Sequence, residues 1–172
     1  MGIRLLINTK TKRNTELVMN IEKLMKFMGY ATSHPELDDF LHENGVKKRP
    51  KGNEATVWIT DATKTITLEF SASSTYNEEH KEPAKSEGWF VLRAIDVDSK
   101  CIEKLPLGIK FEHSKSQVDA ILQPPIETAG DLIATYFSGG IVLTVRFARG
   151  GVKISSIGMH EPDIYDKKNL GI

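Results

Sequence analysis

A chain of 172 residues with 23 Lys and Arg against 23 Asp and Glu carries no formal net charge, and 40% of it is hydrophobic. That is room for one domain with a real core, or for two small tandem units. The balance excludes the basic excess that most nucleic-acid binders show, and the one dense basic run, KKRPK at Lys47–Lys51, reads as a solvated loop. A single cysteine, Cys101, excludes an intramolecular disulfide and fits a reducing compartment. No apolar run approaches the roughly 20 residues that span a bilayer. The start MGIRLLINTKTKRN has too short an apolar run for a signal peptide, and Leu6 stands where a myristoylation signal needs Ser or Thr. A cytoplasmic protein with no membrane and no nucleic-acid partner is expected.

Residues 1–8 read as a short strand or extension. In TELVMNIEKLMKFMGY, Leu17, Ile21, Leu24 and Met28 recur at helical steps, with Gly29 as the stop. A second helix is predicted in SHPELDDFLHENG. Ser33 and Glu36 are spaced as a capping box, Pro35 suits the first turn, Leu37, Phe40 and Leu41 share a face, and Gly45 ends it. The period then changes to two. TVWIT (56–60) and KTITLEFSA (64–72) read as a hairpin across the turn DATK, with Ile66, Leu68 and Phe70 on one face. SSTYNEEHKEPAKSEG (73–88) reads as a long polar loop, and WFVLRAIDV (89–97) as a third strand.

The second half repeats this order. Ser114 and Gln117 form a second capping box, Val118, Ile121 and Leu122 supply an apolar face, and Pro124 and Pro125 stop the helix. Strands follow in LIATYF, IVLTVRF and VKISSIGM, joined by the glycine-rich turns SGG and ARGG. The expected core includes Leu68, Phe70, Leu143, Val145 and Phe147, with Ile141 on the same face as the last three. The fold class is therefore α+β: antiparallel sheet with helices packed on one face. The order suggests two tandem helix–three-strand units within a single domain spanning 1–172. An N-terminal strand and helix (1–31) would precede units at 32–104 and 105–165, with a tail at 166–172. Convergence of simple elements is the alternative to a true repeat.

No catalytic constellation is legible. His34, His42, His80, His113 and His160 fall in no metal-ligand spacing, and one cysteine cannot make a cysteine-rich zinc site. DVDSKCIEK starts like a calcium loop but places Cys101 where glycine is required and Leu107 where the bidentate glutamate belongs. No phosphate-loop pattern is present. No catalytic residue, metal or cofactor is expected, and the protein is read as a non-enzyme.

One resemblance supplies a positive expectation. LPLGIKFEHSKSQVDAILQPP, followed by the GGIVLTVRF and GGVKISSIGMHEPD strands, resembles a pattern of bacterial immunity proteins from contact-dependent growth inhibition and related polymorphic toxin systems. Ser114, Val118, Leu122 and Pro125 match it, while Gln123 and Pro124 interrupt the usual L-G-x-P. The helix–meander order is also similar to the repeats of the beta-lactamase inhibitory protein and of small outer-membrane assembly lipoproteins, whose lipobox is missing here. The likeness covers residues 105–163, with a weaker echo at 33–97. It implies a protein that blocks a cognate toxin domain by stoichiometric binding, with acidic contacts if that toxin is a nuclease. The expected partner site is the acidic segment 73–88 and the strand start after it: Tyr76, Glu78, Glu79, His80, Glu82, Glu87 and Trp89. Long loops carry function, and Tyr and Trp favour interface hot spots. The competing reading makes this a mobile insertion with Trp89 in the core. The alternative function is a small-ligand-binding protein or enzyme whose site is assembled from dispersed residues.

Overall fold

The structure, a computed structural model, describes residues 19–172. Leu17 and the strand expected within residues 1–8 lie outside the described residues. Helix α1 (Ile21–Met25) is capped by Asn20, whose side chain accepts from the Lys23 N–H at 2.8 Å. It is shorter than its periodicity predicts because tertiary bonds take over. Gly29 turns the chain with a φ of 84°, its N–H donates to the Leu92 carbonyl at 2.8 Å, and Ala31 bridges to Val91.

Helix α2 (Pro35–Glu43) buries Leu37, Phe40 and Leu41. The capping box expected from Ser33 and Glu36 does not form. Pro35 opens the helix, so the cap position falls on His34, and Ser33 lies one residue too early. The Ser33 hydroxyl instead donates to the Glu87 carbonyl at 2.7 Å.

The strands are β1 (Thr56–Thr60), β2 (Ile66–Ala72), β3 (Phe90–Asp98), β4 (Glu127–Ala129), β5 (Ile133–Ser138), β6 (Ile141–Phe147) and β7 (Ile154–His160). All pair antiparallel in one sheet of order β1-β2-β3-β7-β6-β5-β4. The fold is α+β, and the two meanders fuse along β3 and β7. The short edge strand β4 is an addition to the predicted set.

One face is the core. Ile59, Leu68, Ile95, Met159, Leu143 and Tyr136 stand opposite one another in a row across β1, β2, β3, β7, β6 and β5, and each is buried. Ile21 and Leu24 of α1, the apolar face of α2, and Val118 and Leu122 of α4 (Lys115–Leu122) join the same cluster. All five expected core residues, Leu68, Phe70, Leu143, Val145 and Phe147, are buried. The Ser114–Gln117 capping box is formed. Buried Tyr136 donates its hydroxyl to Asp119 at 2.7 Å, fastening α4 to the sheet.

Residues 73–88 are not a loop throughout. Helix α3 (Ser73–His80) follows β2 directly and ends where Lys81 enters the left-handed region at φ 57°. It has no apolar stripe, so periodicity misses it; Tyr76 packs on Ala31 and Val91 and stacks on His80 of the same helix, with ring centroids 4.0 Å apart. Helix α5 (Ile164–Leu170) is capped by Asp163 and Asp166. Not every helix shares the core face. Arg93 binds Glu79 of α3, and His160 binds Asp166 of α5, at one end of the opposite face.

The β1–β2 turn carries a built-in acid sensitivity. The Asp61 carboxylate accepts from the Thr63 hydroxyl and from the N–H groups of Thr63, Thr65 and Ile66. Burial pushes its pKa up, but these bonds together outweigh burial and hold it below the ordinary carboxylate value. A group lowered on folding stabilises above its unfolded pKa, and that stability is lost as pH falls through the folded value. Asp61→Asn should therefore cost about 1–2 kcal/mol at neutral pH. The gap to the wild type should narrow below about pH 4, as urea unfolding at several pH values would record. A gap that stays constant into acid would refute this account of the turn.

Candidate functional site

The structure divides the seven residues of the expected partner site. Tyr76 and His80 are both 4% exposed and face inward. The Tyr76 hydroxyl donates to Glu161 at 2.9 Å, and Glu161 also binds Lys85. Burial first, then the adjacent Glu161 carboxylate, push the Tyr76 phenol well above its usual value. His80 places Nδ1 2.9 Å from the Tyr76 carbonyl. These two side chains hold α3 in place and are not available as surface anchors, because Val91 and Ala31 form the apolar patch with Tyr76. Glu79 accepts from Arg93 at 2.7 Å, and Glu82 from Lys167 at 2.8 Å, which keeps Glu82 low. Glu78, Glu87 and Trp89 face solvent. Trp89 precedes β3 and is 62% exposed, so the core reading of this residue is also corrected.

A larger and more ordered surface lies on the sheet face opposite the core. The register aligns Thr60, Thr67, Asp96, Gly158, Thr144, Thr135 and Glu127 in one row across all seven strands. At about 4.8 Å between strands this row runs for roughly 29 Å. Most of its side chains are small, so it forms the floor of a shallow trough. Trp58 and Glu69 stand on one side, Arg146 and Ile133 on the other.

The charged groups around this floor are tied in pairs. Arg93 donates to Glu69 and to Glu79, each at 2.7 Å. Trp58, 61% exposed, donates its indole N–H to Glu69 at 3.2 Å. Asp96 and Arg146 meet at 3.6 Å over Gly158. A Cβ at Gly158 would stand 3.0 Å from Asp96 Oδ1, so the glycine leaves room for a pair that reaches across β7. Burial lifts the Asp96 carboxyl, and Arg146 draws it back only in part. Sequence reasoning did not single out Trp58, Glu69, Arg93, Asp96, Arg146 or Gly158 as a surface. The polar alternation in TVWIT and KTITLEF was the available signal, but the row itself exists only in the register.

Elsewhere, a cavity of about 520 Å³ borders Cys101, Thr65 and Met19, the first described residue. Cys101 is buried, and burial raises its thiol, which lowers its nucleophilic fraction. Among the described residues no group of three or more His, Cys, Asp or Glu side chains could hold a metal, and no helix is long and apolar enough to cross a membrane.

No protein family matches the chain, and no curated protein is similar to it in sequence. A solved structure, a DUF4309 family protein (YjgB) from Bacillus subtilis subsp. subtilis str. 168, is similar at 10% identity and a TM-score of 0.37, over 71% of this chain and 76% of that one. A likeness of that degree carries no argument about function.

Proposed function

We propose that the chain is a cytoplasmic immunity protein of a contact-dependent growth inhibition or related polymorphic toxin system. It neutralises a cognate toxin domain by stoichiometric binding and performs no chemistry of its own. The observation that carries this reading is the open sheet face with its floor of small side chains and its paired charges. Pairing fixes long side chains before a partner arrives, which lowers the ordering cost of association. The floor row crosses all seven strands over roughly 29 Å, and Arg146 and Ile133 of the row beside it are exposed, an elongated surface that a partner can lie along. Glu78, Glu82 and Glu87 lie near one end of the sheet and suit electrostatic steering of a basic partner such as a nuclease.

The direct test mixes the protein with the toxin domain encoded beside it. Size-exclusion chromatography at micromolar concentration should give one equimolar complex, and the toxin in it should be inactive. Two separate peaks would remove the proposal. If steering operates, the double variant Glu78→Lys, Glu87→Lys should slow association roughly tenfold at low salt and little at high salt. Stopped-flow association at two ionic strengths reads this, and equal rates for variant and wild type would assign those glutamates no steering role.

A further inference from the structure

The second interaction surface is the free edge of β1. The Ala72 N–H donates to Ala55 O at 2.8 Å, and the Asp61 N–H donates to Ile66 O at 2.9 Å. With the register Val57–Phe70 and Ile59–Leu68, these bonds place the odd-numbered residues in hydrogen-bonded pairs with β2. Thr56, Trp58 and Thr60 must then direct their N–H and C=O groups away from the sheet. Among the described residues no backbone partner meets them. A groove of about 490 Å³ runs beside this edge, walled by Gly45–Lys48 and floored by Trp58–Asp61.

The groove is basic. Lys47, Lys48 and Lys64 line it and are exposed, and none makes an ion pair among the described residues. Arg49, the other cation of this stretch, is bound to Asp38. The Asp61 carboxylate, also in the lining, is consumed by its own turn. Among the described residues, three lysines without an ion-pair partner outnumber the one Asp61 carboxylate in this lining, which leaves the groove a net positive field. The opposite edge, β4, is three residues long and carries Glu127, so it offers neither the length nor the charge.

We infer that β1 accepts an acidic, extended polypeptide segment of a partner as an eighth strand, with its backbone on Thr56, Trp58 and Thr60 and its carboxylates on Lys47, Lys48 and Lys64. Strand addition draws affinity from main-chain hydrogen bonds and specificity from flanking side chains. Lysines at an edge discourage pairing with a like edge and by the same charge admit an acidic one. A second copy of this chain would bring the same lysines against the first set, so self-pairing is disfavoured. A single nucleic-acid strand would use the lysines and the Trp58 ring, but it would leave the three outward backbone positions unsatisfied. This site stands whether or not the sheet face binds a toxin.

The probe is a short acetylated peptide alternating glutamate and threonine, added to the isotopically labelled protein. Amide shifts should concentrate at Thr56, Trp58 and Thr60 and at the three lysines. The triple variant Lys47→Glu, Lys48→Glu, Lys64→Glu should weaken binding about tenfold or more. Thr60→Pro deletes one outward N–H without touching the β2 ladder, a place where an edge strand tolerates proline. It should also weaken binding, with its melting temperature checked in parallel. No shifts with the acidic peptide, equal shifts with a lysine–threonine peptide, tighter binding of oligothymidylate, or concentration-dependent dimerisation through β1 would each overturn the inference.

Discussion

Phe70→Ala should lower stability by about 3–5 kcal/mol, the usual range for deleting a buried phenylalanine. Phe70 is fully buried, and its partners across the register, Val57 on β1 and Leu92 on β3, come from both neighbouring strands. The bulge at Glu69/Phe70 fixes the local backbone, which limits how far the sheet can collapse into the space left behind. For a chain of this size the loss corresponds to a melting-temperature drop of roughly 6–20 °C. Calorimetry would read it directly. A drop of only a degree or two would mean that the β2 residues do not support the core as the register requires.

The second large effect concerns binding. Thr144→Arg places a long cation on the floor of the trough, two strands from β3 and far from the free edge of β1. It should reduce toxin affinity at least about 100-fold, since a buried unpaired charge in an interface costs several kcal/mol. Trp58→Ala should cost at least about 2 kcal/mol of binding, or roughly 30-fold, if the indole is an interface anchor. Neither change removes core contacts: Thr144 is half-buried on the solvated face and Trp58 is exposed. Titration calorimetry against the toxin domain, with thermal melts alongside, separates binding from folding. Full affinity in both variants would take the interface off this face and the proposed mode of inhibition with it. Because Thr144 is remote from β1, its variant leaves the acidic-peptide site intact, and the two proposals fail independently.

The parts of the fold that were legible are those decided by local alternation. Ile66, Leu68 and Phe70 announce β2, and Ser114 with Gln117 announces α4, because a period of two and a capping box are properties of a few adjacent residues. The parts that were not legible depend on partners distant in sequence. Helix α3 has no stripe of its own, and Tyr76 turns inward because Ala31 and Val91 are waiting for it and Glu161 takes its hydroxyl. The cap at Ser33 was misplaced by a single residue through Pro35, a steric matter that a spacing rule does not weigh. The acidity of segment 73–88 was plain, but which carboxylates stay free depended on Arg93 and Lys167. The Thr–Asp–Gly row was beyond reach, since it is written one residue per strand.

The strand order has a consequence for how the chain is made. In β1-β2-β3-β7-β6-β5-β4 the strand that emerges last from the ribosome is the middle one. By the time Ile154–His160 is synthesised, β3 and β6 already exist, each with one edge unpaired and with apolar side chains such as Ile95, Val97, Leu143 and Val145 on it. A nascent or cleaved chain ending before β7 thus presents two hydrophobic edges of the kind that template aggregation. Closing the sheet requires β7 to slot between two preformed halves, a long-range step that slows folding and makes it cooperative. Until the central strand arrives, neither half can hide its edge, so the two halves become a closed sheet only together.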